Sequence, residues 1–124
     1  MNSFASHFPH LAATLIAELE TSGRPELAQQ LRTALVRDVS FDAEANAGNI
    51  ALDAGRQLNV VETKIVGVRY GETIAVNSTY DAYLDTDNFG RVLGVEVLSP
   101  PPRLAATLTG GLPSNKLLER TREE

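Results

Sequence analysis

The hydrophobic period of this chain changes once, near Val36, and that change limits the fold more than any other feature. Before it, Phe8, Leu11, Ala12, Leu15, Ile16 and Leu19 recur at the spacing of one helical face. After it come short β-branched or aromatic runs ("VSFD", "NIAL", "LNVVETKIVGV", "TIAV", "YDAYL") separated by Gly, Asn and Asp. Helices followed by a run of strands define an α+β chain, in which amphipathic helices cover one face of a mainly antiparallel sheet of about five strands.

The helical part reads as a hairpin over residues 8–36. Pro9 suits a first turn, where its missing N–H costs nothing. "TSGRP" ends the first helix, because Gly23 accepts a left-handed terminating conformation and Pro25 bars continuation. A second helix starting at Pro25 has Leu27, Leu31, Ala34 and Leu35 as its apolar face. Two stripes this short must be buried against a sheet or a second subunit. Leu15, Leu19, Leu27 and Leu31 are therefore the candidate interaction residues, and a symmetric homodimer is the expected assembly.

The sheet is expected over residues 38–99, which with the hairpin makes a single domain spanning 8–99. In "RVLGVEVL", simple alternation puts Leu93, Val95 and Val97 on one face and Val92, Gly94, Glu96 and Leu98 on the other. "SPPP" at Ser99 stops the last strand, since proline cannot donate to a ladder. Residues 1–7 are expected to be a flexible end, and 100–124 a partly mobile extension.

Charge and composition exclude several classes of function. The 124 residues hold no cysteine, which removes disulfides, thiol catalysis and cysteine-ligated zinc. Eleven Lys and Arg against sixteen Asp and Glu give a net charge of −5, and the basic residues are interleaved with acids. Such a surface repels a phosphate backbone, so nucleic acid is not an expected partner for this chain, whereas a basic protein is. No apolar run reaches the length of a membrane span, and acids enter the opening stretch at Glu18 and Glu20. The expected location is the cytoplasm, without a membrane.

The densest chemistry lies in "DTDNFG". Counted from Asp85, the spacing to Asp87, Gly90 and Glu96 follows a calcium loop, but Phe89 occupies a ligand position and Glu96 falls within a strand. A turn accounts for these residues better, with Asp and Asn bonding the backbone and Gly90 supplying positive φ. On that basis Gly90→Ala is expected to cost more than Asp87→Ala. Asp85, Asp87 and Glu96 form the alternative, a small hydrolase or metal-assisted site. Glu96 has Arg69, Arg91 and Lys64 as candidate partners if buried. His7 and His10 lack a third ligand at useful spacing, Ser40 and Ser78 lack a nearby base, and the sequon at Asn77 needs an export route. No metal, cofactor or catalytic residue is assigned.

The segments "VSFDAEANAGNIAL", "VVETKIV" and "YLDTDNFGRVLGVEVLS" together resemble the YuzE-like family, small bacterial domains of unknown function. Phe41, Asp42, Glu44, Ala45 and Ile50 match its first hairpin. Asp85, Asp87, Gly90, Arg91, Val92, Gly94, Val95, Glu96 and Val97 match its closing motif. The resemblance covers roughly residues 39–99, with Asn46 in place of the usual acid and Gly48–Asn49 in place of Leu–Tyr. It draws attention to Asp42, Glu44, Asp85, Asp87, Arg91 and Glu96, and it implies no reaction. Similar domains are encoded beside toxin-like proteins, which implies an antitoxin-like or regulatory partner. The resulting expectation is a non-enzymatic oligomeric interaction protein; a small-ligand-binding or sensing protein is the other alternative to the enzyme.

Overall fold

The computed structural model describes residues 2–53 and 70–110. Three helices, α1 (Phe4–His7), α2 (Pro9–Thr21) and α3 (Pro25–Thr33), precede five strands. These are β1 (Leu35–Asp42), β2 (Ala47–Asp53), β3 (Tyr70–Asn77), β4 (Asp81–Asp87) and β5 (Val92–Leu98), followed by α4 (Pro102–Gly110). The strands form one antiparallel sheet in the order β1-β2-β5-β4-β3. This is the α+β arrangement that the change of period predicts. The expected strand "LNVVETKIVGV" lies outside the described residues.

One face of the sheet is apolar and covered. Val36, Val39 and Phe41 on β1 stand in register with Leu52, Ile50 and Gly48 on β2. The rows continue through Val95 and Val97 to Leu84 and Ala82, and on to Ile74 and Val76. Helix α2 lies against β3, α3 against β5, and α4 against β1 and β2. Phe8, Leu11, Ala12, Leu15, Leu19, Leu27, Ala28 and Leu31 join these strand residues in one core. At α4, Leu108 fills the space over Gly48 where any β-carbon would stand. Glycine at that register position lets the helix sit directly on the strand.

The structure departs from four sequence expectations. Ahead of Pro9, Phe4 is wholly buried and α1 is capped by the Ser3 side chain, where a flexible end was expected. The second helix stops at Thr33, so Ala34 and Leu35 leave its face. The cause of both is one contact: Phe4 N donates to Ala34 O at 2.9 Å and Val36 N to Asn2 O at 2.6 Å, which draws residue 34 into extended geometry. On β5, Thr86 pairs with Val92 and Asp85 with Gly94, leaving Leu93 as a bulge. Val92, not Leu93, therefore joins Val95 and Val97 in the core.

The fourth difference concerns what buries the helical leucines. Leu15, Leu19, Leu27 and Leu31 are all buried within the single chain. Packing on the sheet uses up both helical stripes, so these four residues present nothing to a second copy. Among the described residues no helix is long and apolar enough to cross a membrane.

Candidate functional site

Among the described residues the helices pack on the apolar face, and alternation gives the opposite face mostly polar side chains. Its central row runs Ser40, Asn49, Glu96, Tyr83, Ala75 from β1 to β3. The row on one side contains Asp38, Ala51, Gly94, Asp85 and Thr73; the row on the other contains Asp42, Ala47, Leu98, Asp81 and Asn77. Asp81, Tyr83 and Asp85 thus line up at two-residue intervals along β4, with Glu96 directly across from Tyr83. Tyr83, Asp85 and Glu96 are half-buried, while Asp81 and Asn49 are exposed.

These groups influence one another. The Asp81 carboxylate beside Tyr83 favours the protonated hydroxyl as a hydrogen-bond donor and so holds the phenol above its ordinary pKa of 10.0. The negative charge of Asp81 adds to the effect, followed by slight desolvation and the charge of Glu96. Thr73 Oγ donates to Asp85 Oδ1 at 2.6 Å and fixes that carboxylate's rotamer. Asp85 and Glu96 are diagonal neighbours on the same surface, a separation of roughly 7 Å. No Lys or Arg occupies the register positions of these three rows. What results is an aromatic ring set among carboxylates on one face of the sheet.

The other motif residues are committed elsewhere. Asp87 is buried in the β4–β5 turn, where its Oδ1 accepts Phe89 N at 2.8 Å and Arg91 N at 2.9 Å. Its Oδ2 accepts Arg91 Nε at 2.8 Å, and the Arg91 guanidinium lies 5.3 Å from the centre of the Phe89 ring. Gly90 has φ 80°, as the turn requires. From α3, Gln30 locks the turn down: its Oε1 accepts Val92 N at 2.8 Å and its Nε2 donates to Gly90 O at 3.0 Å. "DTDNFG" is therefore a turn between antiparallel strands, fastened to a helix, and Asp87 is its hub. That overturns the expected ranking in which Asp87→Ala is the milder change.

Asp42 and Glu44 belong to the β1–β2 turn, where Asp42 Oδ1 accepts Glu44 N at 3.0 Å and Ala45 N at 3.2 Å. Asp42 shares a row with Asp81, six residues along β4 from Asp87. At the rise of a strand, the two ends of the motif stand about 20 Å apart. The structure therefore brings Asp85 and Glu96 together, pairs Asp87 with Arg91, and leaves Asp42 and Glu44 at the far end. Among the described residues no group of three or more His, Asp or Glu is arranged to hold a metal ion.

Tyr83, Asp81 and Asn49 are site residues that the sequence reasoning missed. The signal for two of them was present, since "DAYLD" alternates Asp81, Tyr83 and Asp85 on one side of a strand. Asn49 needed the β2–β5 register, which no local pattern supplies. Comparison with known proteins adds no relative: no protein-family model, curated protein or solved structure matches the chain.

Proposed function

We propose that this chain is a non-enzymatic interaction protein whose open sheet face receives the basic side chains of a protein partner. The observation that carries this reading is Tyr83 standing between Asp81 and Asp85 and opposite Glu96. A guanidinium or ammonium group laid over the Tyr83 ring meets the negative face of an aromatic, with carboxylates at its edge to accept its N–H groups. Arginine fits best, because its planar fork both stacks and bonds two oxygens. The excess of acids over bases across the chain steers such a partner toward the surface. The antitoxin-like or regulatory role implied by the YuzE-like resemblance is in keeping with a basic partner. The hydrolytic alternative is weakened because Asp87, one of its three carboxylates, is consumed by the turn. A homodimer, if formed, uses a surface other than the α2–α3 leucines.

The test is binding of a labelled arginine-rich peptide, followed by fluorescence anisotropy, with a glutamate-rich peptide as control. Binding should weaken as salt rises, and Glu96→Gln or Asp85→Asn should each weaken it about fivefold. Tyr83→Ala should cost at least as much. Arginine-peptide binding that ignores all three substitutions would remove the open face from the account.

A further inference from the structure

Three nitrogen-bearing side chains come together on the helical side of the molecule. A cleft of about 360 Å³ opens between the start of α2, the start of α4 and the β3–β4 turn. His7, His10 and Arg103 line it, and these include both histidines of the chain. Among the described residues no carboxylate lines it. The neighbouring clefts carry acids: one between α2 and β3 is lined by Glu18 and Glu72 together with Arg24, and one beside Asn77 again by Glu18.

The interior of the same cleft is apolar. Phe8 and Leu11 form one wall, Leu104 of α4 the other, and Tyr80 closes the end. The Tyr80 backbone is held in place by Ser78, whose Oγ donates to Tyr80 O and accepts from Tyr80 N, both at 3.1 Å. His7 packs edge-on to Phe8, with ring centroids 4.5 Å apart. A cleft of this size is in the range that holds small organic molecules. The Arg103 guanidinium selects among them: it repels an amine, and it offers a carboxylate charge-assisted hydrogen bonds that a neutral alcohol uses poorly. The first turns of both α2 and α4 border the mouth, so their N–H dipoles favour the same sign of ligand.

We propose that this cleft binds a small carboxylate with an apolar body, the carboxylate at His10 and Arg103 and the body between Phe8, Leu11 and Leu104. This is a second site, separate from the open face of the sheet, since the helices and α4 lie on the covered side. The ligand's negative charge also separates it from the basic partner proposed for that face.

Three probes of nearly one shape test the proposal on the full chain: phenylacetate, 2-phenylethanol and 2-phenylethylamine, each titrated by amide NMR. Phenylacetate should give saturable shifts at His10, Leu11, Tyr80, Arg103 and Leu104. The alcohol should bind roughly tenfold more weakly, and the amine more weakly again at these positions. Arg103→Gln and His10→Gln, both at exposed positions, should each weaken phenylacetate several-fold without shifting the melting temperature. The proposal is overturned if phenylacetate gives no saturable shifts at these residues, if the alcohol or amine binds there as tightly, or if Arg103→Gln leaves phenylacetate binding unchanged. Arginine-peptide binding at the open face is independent of all these outcomes.

Discussion

The Asp87 carboxylate can be dismantled in two steps, and each step has its own predicted cost. Asp87→Asn keeps an acceptor for the Phe89 and Arg91 N–H groups but loses the charge that faces Arg91 Nε. The amide nitrogen then faces Arg91 Nε donor to donor, so that bond is lost and the two backbone bonds become neutral, a loss of about 2 kcal/mol. Asp87→Ala removes all three bonds, so the Phe89 and Arg91 N–H groups lose their acceptor as well. Removing one partner of a buried pair costs about 3–5 kcal/mol, but Phe89 is 56% exposed and water can reach part of this turn. The expected loss is therefore near the lower bound, about 3 kcal/mol. Urea unfolding should show a midpoint lowered by roughly 1.5–2 M with an unchanged slope, taking a slope of about 1.5–2 kcal/mol/M for a domain of this size. A loss for Asp87→Ala below about 0.5 kcal/mol, or one no larger than for Asp87→Asn, would refute the claim that this carboxylate organises the turn.

Gly90→Ala strains a residue at φ 80° with open space around it, so it should destabilise by about 1 kcal/mol in the same urea assay, clearly less than Asp87→Ala. Leu19→Asp places a charge in a core position and should unfold the chain, read as loss of far-ultraviolet circular dichroism; a folded protein of native spectrum would contradict the burial assigned to it. Phenolate absorbance should show one tyrosine titrating above the ordinary range, lost in Tyr83→Phe and moved downward in Asp81→Asn. Because the folded phenol keeps its proton longer than the unfolded one, its contribution to stability is present below pH 10.0 and is lost as pH rises toward the folded pKa.

The α2 stripe was legible because Phe8 to Leu19 repeat at one period, and the strands because their runs are short and bounded by turn residues. What covers a stripe is a different question. Periodicity identifies Leu15, Leu19, Leu27 and Leu31 as buried without saying whether sheet or subunit buries them, and the sheet does. Leu93 was misplaced because a bulge shifts every later side chain by one face, and no residue in "RVLGV" announces it. Ala34 was misplaced because a strand-like contact from Asn2 to Phe4, some thirty residues earlier, overrides its helical propensity. Gln30 illustrates the general difficulty at the site. A single amide on a helix, bonded to a turn sixty residues away, leaves no periodic trace. Asp81, Tyr83 and Asp85 were readable from alternation, but the pairing of Tyr83 with Glu96 depends on the β4–β5 register, which is fixed by the turn and its bulge.

The most direct test of the central claim is the footprint of an arginine-rich peptide on the full chain, mapped by amide NMR at low salt. The account predicts shifts concentrated on Asn49, Asp81, Tyr83, Asp85 and Glu96, with α2 and α3 unmoved. Shifts confined to the helices, or none that saturate, would contradict the assignment of the open sheet face as the surface on which this protein meets its partner.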